Sequence, residues 1–373
     1  MTTFTIVLYT YNRLHLLKDA IMSILNQTYP HLELIIVNNG STDGTQQYIE
    51  HITDQRVKIK TIEKNEGVLP EILFEECEGD YILPFFGDDD VLTHKALETV
   101  AGIFSSDPSI DNLSVGCVSF NLDTREFNTN ELNAFSGELQ VLDRKKEFFR
   151  FVNSWGIGRK TTSKSFGKAH SSASIFSRGV LLTTKKEQGE IFVKPFGDVG
   201  LIGTLLYAKK VCYLSLPLVV IGIHEKREMA MSRLSNRRLC DKLSDTLVYS
   251  PVKTATFFSL GIESHLKVIH YNNLENCYDW SLRPKFHIAH MMYLLCDKRW
   301  DGRTIKDLLE ALPLAFKSVF HYFFHSLFGS PVSCIKMAYS LIKGKPSKKN
   351  MKSFSGVLEM AGWIALHPDD QKI

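Results

Sequence analysis

The chain has 373 residues, 44% of them hydrophobic and 23% charged, and a net charge of +3. That length suits two domains, and the composition is that of a globular protein, not of a disordered or fibrous one. So small a charge gives no ground for nucleic-acid binding, and seven scattered cysteines without CxxC spacing speak against a disulfide framework or a zinc site and for reduced thiols in a cytoplasmic setting.

The first residues, Met1-Thr2-Thr3, run straight into a strand pattern, with no basic segment and apolar run of the secretory kind. The apolar run Phe4 to Tyr9 predicts a strand. Leu14, Leu17, Ile21 and Leu25, with Ala20 and Ile24 beside them, recur at helical spacing, and Tyr29-Pro30 ends that helix. Leu32 to Val37 predicts a second strand, after which Asn39-Gly40-Ser41-Thr42 turns the chain and a hydroxyl is expected to cap a helix through Tyr48 and Ile49. Val57 to Thr61 reads as a strand, Glu71 to Cys77 as a short helix and Tyr81 to Phe86 as a fourth strand. Thr93 is expected to cap a helix that buries Leu97, Val100, Ala101 and Phe104, and Leu113 to Phe120 is a fifth strand. Alternation of this kind predicts an α/β fold, a mostly parallel sheet flanked by helices, with ligands at the carboxyl ends of its strands.

Residues 121–170 are less regular. Arg159, Lys160, Lys164 and Lys168 interleave there with Gly and Ser, as in a solvated surface loop or a lid that closes over phosphates. Regularity returns with a strand at Ser172 to Phe176, a helix at Leu201 to Ala208, a strand at Val211 to Leu214 and an apolar run from Leu218 to Ile223 that ends at His224. Helical patterns dominate from Leu239 to Leu366, so the expected division is an α/β domain over 1–235 and a mainly helical one over 236–373. The uncharged stretch Ser318 to Ile335 borders on membrane-spanning length, but His321, His325 and Gly329-Ser330-Pro331 break it into two packed helical pieces. Lys336, Lys343, Lys345, Lys348, Lys349 and Lys352 form either a solvated basic face or a peripheral contact with an anionic membrane surface.

The chemistry concentrates at Gly87-Asp88-Asp89-Asp90, directly after the fourth strand. Three adjacent carboxylates repel one another and no fold needs them for stability. They mark either an exposed acidic turn or a site for a hard cation such as Mg²⁺, which takes one or two carboxylates plus substrate phosphates.

Five segments in order, Tyr9-Thr10-Tyr11-Asn12-Arg13, Leu25-Asn26-Gln27-Thr28-Tyr29, Val37 to Thr45, Asn65-Glu66-Gly67 and Gly79-Asp80-Tyr81-Ile82 leading into the Asp triplet, resemble the family-two glycosyltransferases with the GT-A fold. The likeness is specific over residues 4–105, weaker over 170–232 and absent from the C-terminal third. It implies a nucleoside diphosphate sugar donor, UDP-type first, lying across the carboxyl edge of the sheet, with Tyr9, Thr10 and Tyr11 beside the base. Asn38 stands where the family usually has an Asp that pairs with a uracil-type base; it keeps an acceptor and adds a donor. Asp88 matches a ribose-side or supporting acid and Asp89 a ligand of Mn²⁺ or Mg²⁺, with Asp90 a further metal donor. Gly87 replaces the first acid of the usual Asp-x-Asp, and the preceding strand is one residue longer, as a bulge at Pro84 would make it, so the register of the three aspartates is open by one.

The family's base matches Asp198 in Phe196-Gly197-Asp198-Val199-Gly200, a position where Asp also serves as a plain helix cap. His224 matches a histidine that completes the metal shell, its other reading being structural. Arg227 is placed near phosphate, and Ser171 and Ser172 on the acceptor side. The resemblance thus implies a metal-dependent, inverting transfer to a hydroxyl of a glycan or lipid-linked glycan in surface polysaccharide synthesis. The other reading is a glycosyltransferase-like subunit that binds the nucleotide sugar without turnover. A nucleotidyltransferase would need a Gly-rich loop after the first strand, and Thr10-Tyr11-Asn12-Arg13 is not one.

Overall fold

Residues 1–65, 74–154, 171–194, 197–224, 247–250, 257–277 and 351–366, with isolated positions between 309 and 316, are described by a computed structural model. The strands β1 (Phe4–Thr10) and β2 (Leu32–Asn39) are buried along their whole length. Their near-continuous apolar sequence follows from a sheet covered on both faces. Between them α1 (Leu14–Leu25) buries Leu17, Ala20, Ile21 and Ile24, the predicted face. The helix α2 (Thr45–Glu50) connects β2 to β3 (Val57–Ile62). Its expected hydroxyl cap is not used: Gly44 stands at the N-cap with φ 91°, and Asp43 Oδ1 accepts from the Thr45 amide and hydroxyl.

In place of the expected helix over 71–77, the described part is a 3₁₀ turn, Phe74–Glu76, leading to β4 (Tyr81–Gly87). The bulge expected at Pro84 is present: Ile6 pairs with Leu83 and Leu8 with Phe86, so one extra residue on β4 faces Val7. Proline has no amide to donate to the ladder, which favours an irregularity there. A short strand follows directly, β5 (Asp90–Leu92), and then α3 (Ala96–Ser106), which buries Leu97, Val100, Ala101 and Phe104. Thr93 does not cap α3 with its side chain; its carbonyl accepts from the Ala96 amide and from Gln27 Nε2.

The remaining strands of this part are β6 (Asn112–Asn121), β7 (Glu126–Asn128), β8 (Leu139–Leu142), β9 (Ser174–Ser177) and β10 (Val211–Ile223). The helices are α4 (Arg144–Ser154), α5 (Arg178–Gln188) and α6 (Gly197–Gly203). The two apolar runs around Pro217 form one strand, β10, whose register to β6 shifts at Pro217. β1, β2, β3 and β4 are mutually parallel, and β10 is parallel to β6. Antiparallel β9 joins β4 to β6, and β10 carries β8 on its first half and β5 on its second.

Two compact units emerge, one of residues 1–154, 159–227 and 351–373, the other of 155–158 and 228–350. The expected division at 235/236 differs at its C-terminal end. The strand β11 (Met351–Ser353) pairs with β7. After it, the helix α8 (Val357–Leu366) buries Val357, Met360, Ala361 and Ile364 in a cluster with Val91, Phe120, Phe127 and Val220 of the first unit. Lys352 lies 3.8 Å from the Trp363 ring centroid, a cation–π contact that occupies one member of the basic cluster. Lys336, Lys343, Lys345, Lys348 and Lys349 lie outside the described residues, as do 159–168 and 318–335. In the second unit α7 (Phe257–Tyr271) places Glu263, whose Oε2 accepts from the amides of Tyr249 and Ser250, and the buried His265. Among the described residues no helix is long and apolar enough to cross a membrane.

Candidate active site at the carboxyl ends of the strands

Thr10 ends β1, pairs across to Asn38 on β2, and its neighbour Tyr9 pairs with Gly87 at the end of β4. This register brings the loops after three strands together. They are stitched by local hydrogen bonds. Asn12, in the left-handed region at φ 53°, accepts at Oδ1 from the Thr42 amide (2.6 Å) and donates its own amide to Ser41 Oγ (3.0 Å), and Asp43 Oδ2 accepts from the Leu14 amide (3.0 Å).

The aspartate triplet is buried: Asp88, Asp89 and Asp90 are 3%, 5% and 0% exposed. The reading as an exposed acidic turn is thereby overturned. Thr10 Oγ1 donates to Asp88 Oδ2 at 2.8 Å and Arg13 Nη1 to Asp88 Oδ1 at 3.0 Å. The same Nη1 is 3.7 Å from Asp89 Oδ2. Burial pushes the Asp88 carboxyl up to about 6, against the guanidinium of Arg13, which draws it down, and with Asp89, which raises it further. Asp90 is held on β5 opposite Ile221 of β10, and its charge, after burial itself, helps push the nearby Cys117 thiol up to about 12.

Two glycines make room for this cluster. A Cβ on Gly87 would stand 2.7 Å from Asp89 Oδ1 and 3.0 Å from Asp90 Oδ2. A Cβ on Gly222 of β10 would stand 2.1 Å from the Asp89 carbonyl oxygen. A side chain at position 87 is therefore sterically disfavoured, since the carboxylates of Asp89 and Asp90 fold back over that backbone.

His224 follows β10, and its Nε2 lies 3.5 Å from Asp89 Oδ2, beyond a good hydrogen bond. That nitrogen is buried and makes no hydrogen bond among the described residues. A carboxylate oxygen and an imidazole nitrogen bound to one divalent ion are about 3–4 Å apart. Asp89 and His224 thus fit a shared cation. No group of three His, Cys, Asp or Glu among the described residues makes a complete cage, so the protein would supply part of the shell and ligand oxygens the rest.

The other sequence-predicted residues are placed as follows. Tyr9 is buried, stacked on Phe85 with centroids 5.7 Å apart and edge-on to Phe192. Tyr11 is partly buried in the loop after β1. Asn38 is buried and bonded at both ends, accepting from the Ser41 amide (3.1 Å) and donating to Gln46 Oε1 (2.7 Å). Asp198 is the second residue of α6, and its side chain lies outside the described residues, as does Arg227. The helix α6 packs on the turn Ser171–Ala173, which packs in turn on β4, and Ser171 and Ser172 are buried in that turn. Sequence reasoning assigned no role to Arg13 or Gly222. Arg13 ends a motif that was singled out, whereas nothing local signals Gly222.

Residues 5–166 match the family described as Glycosyl transferase family 2. An uncharacterized glycosyltransferase of Haemophilus influenzae is 36% identical over 102 residues, 26% of this chain and 40% of the relative. A Campylobacter jejuni protein named as a GalNAc(5)-diNAcBac-PP-undecaprenol beta-1,3-glucosyltransferase is 29% identical over 111 residues, 27% of this chain and 34% of the relative. The chain thus spans less than half the length of these curated relatives. A crystal structure of S. aureus TarS 1–349 in complex with UDP-GlcNAc superposes with a TM-score of 0.50 over 94% of this chain and 96% of that one, at 14% identity, a likeness of fold. The parallel β3-β2-β1-β4 order with the site at its carboxyl edge, the TarS-like fold and the match of residues 5–166 to the glycosyl transferase family 2 model agree with one another, and the chain is similar to that family over this stretch.

Proposed function

We propose that this protein is a metal-dependent, inverting glycosyltransferase. It moves a sugar from a nucleoside diphosphate donor to a hydroxyl of a glycan or lipid-linked glycan. The observation that carries this reading is the buried aspartate cluster at the carboxyl edge of the sheet, in which Asp88 meets Thr10 and Arg13 and Asp89 lies close to Arg13 and His224. Two relatives are named for acceptors on diphosphoundecaprenol or PP-undecaprenol, which supports a lipid-linked acceptor, and one of these names UDP-Glc, which supports a UDP-type donor.

In this reading Asp89 and His224 hold Mn²⁺ or Mg²⁺, with Asp90 behind them. Asp88, fixed by Thr10 and Arg13, faces the ribose side of the donor. The bound ion supplies Lewis-acid stabilisation of the charge that builds on the leaving diphosphate. Asp198 takes the proton of the attacking hydroxyl at the start of α6. The assignment of a single base and of no covalent nucleophile corresponds to one in-line displacement, hence inversion. Tyr11 packs on the base beside the Tyr9–Thr10 backbone. Asn38, already bonded to Ser41 and Gln46, meets the base only by exchanging one of those bonds, which favours a looser base preference than an Asp would impose. Work at the inner face of a membrane follows from a lipid-linked acceptor.

The test is a panel of sugar nucleotides screened with Mn²⁺ for thermal stabilisation of the full chain, followed by turnover with the donor that stabilises. One donor should stabilise only with the metal, and Asp198→Ala should retain that stabilisation while losing turnover by about 10²–10⁴-fold. Stabilisation without any turnover in the wild type would instead favour a nucleotide-sugar-binding subunit.

A further inference from the structure

We infer that Arg13 is a built-in counter-cation: its guanidinium holds Asp88 and Asp89 together in the ligand-free protein, and a divalent cation enters by displacing it from Asp89. This rests on the assignment of Asp89 to the cation made above. One Nη1 serves two carboxylates unequally, at hydrogen-bond distance from Asp88 Oδ1 (3.0 Å) and at 3.7 Å from Asp89 Oδ2. The second contact is electrostatic alone and is the one that yields first. The oxygen it reaches, Asp89 Oδ2, is also the atom 3.5 Å from His224 Nε2, so guanidinium and metal compete for the same lone pairs.

The backbone of Arg13 is fixed, because its carbonyl accepts from the amides of Leu16 and Leu17 at 2.9 and 3.0 Å. Its side chain is 18% exposed and long enough to turn toward solvent from that anchor. Two cations on one oxygen repel within the distance that salt screens. The metal alone therefore binds weakly. An anionic diphosphate that arrives with the metal gives the released guanidinium a new partner, so the two load together. Arg13 acts here as a positioning residue for the order of loading.

The experiment titrates Mn²⁺ alone into the full chain and reads free Mn²⁺ by electron paramagnetic resonance. Arg13→Gln removes the charge and should tighten Mn²⁺ binding about tenfold. Asp89→Asn should abolish it. Unchanged or weaker binding in Arg13→Gln, with binding lost in Asp89→Asn, overturns the counter-cation while the metal assignment stands. Wild-type binding in Asp89→Asn removes the assignment itself. A second measurement needs no variant: phenylglyoxal labelling of Arg13, read by mass spectrometry, should be faster with Mn²⁺ than without. Equal or slower labelling counts against displacement.

Discussion

The same strands carry a single buried acid at their amino end and a buried acid cluster at their carboxyl end, and the two ends are built differently. At the amino end Glu33 of β2 is buried, and its Oε2 accepts from Thr5 Oγ1 (2.7 Å) and from the Glu78 amide (3.1 Å) while Lys58 pairs with Oε1. Thr5 passes the network on by accepting from the Gly79 amide. Each donor there is spent within the chain, and the network ties β1, β2, β3 and the entry to β4. At the carboxyl end three consecutive carboxylates are buried: Asp88 accepts from Thr10 (2.8 Å) and Arg13 (3.0 Å), and Asp89 lies 3.7 Å from Arg13 and 3.5 Å from His224. Buried charge is tolerated only when compensated. Glu33 at the amino end and Asp88 at the carboxyl end are each compensated by short bonds within the chain, whereas Asp89 stands from Arg13 and His224 at separations that a bound ion would bridge. The contrast distinguishes a structural acid from the cluster proposed above to hold the cation.

This comparison can be broken at either end. The largest effect is expected from Asp89→Asn: turnover falls by at least about 10³-fold and the Mn²⁺-dependent rise in melting temperature disappears, with the metal-free melting temperature unchanged or higher. A large loss of metal-free stability would place Asp89 with the structural acids. The converse is Glu33→Ala, which should cost about 2–4 kcal/mol in denaturant unfolding while leaving turnover at saturating donor within about twofold. Gly87→Ala sharpens the geometry. A methyl placed 2.7 Å from Asp89 Oδ1 must push that carboxylate aside, so Mn²⁺ affinity should drop about tenfold with little change in stability. Full affinity would show that the fold-back of Asp89 is irrelevant to the cation.

The smallest expected effect concerns a third carboxylate. Glu131, in the 3₁₀ turn Thr129–Ala134, accepts from the Ser119 amide at 2.8 Å, and burial pushes it up to about 7. Its folded value lies above its unfolded one, so the stability it contributes is complete below the unfolded value and is lost as pH rises through about 7. The wild type should lose about 1–2 kcal/mol on this account between pH 5 and pH 8, discounted for its partial exposure. Glu131→Gln, which keeps an acceptor for Ser119, should flatten that slope in melts taken across the range. An unaltered slope would assign the pH dependence elsewhere.

Much of the first unit was legible because its signals are local. The apolar runs of β1, β2, β4 and β6 and the helical faces of α1 and α3 repeat at the period of their own backbone, and even the bulge at Pro84 followed from strand length and a missing amide. The strands β5, β7, β8 and β11 were not foreseen, since three or four residues carry no usable period. The two caps were misplaced for a related reason. Ser, Thr and Asp compete for the same turn, and the choice of Asp43 at α2 depends on where the Leu14 amide lies.

The amino-acid sequence by itself determined the α/β class, the ordered motifs and the presence of three acids after β4, because covalent neighbours set backbone period and local charge. Tertiary structure alone decided that β11 and α8 return to the first sheet, that Gly87 and Gly222 clear space for Asp89, and that Arg13 and His224 converge on one oxygen. Those are contacts between residues distant along the chain. Their distances follow from how strands stack and register, which no local pattern encodes.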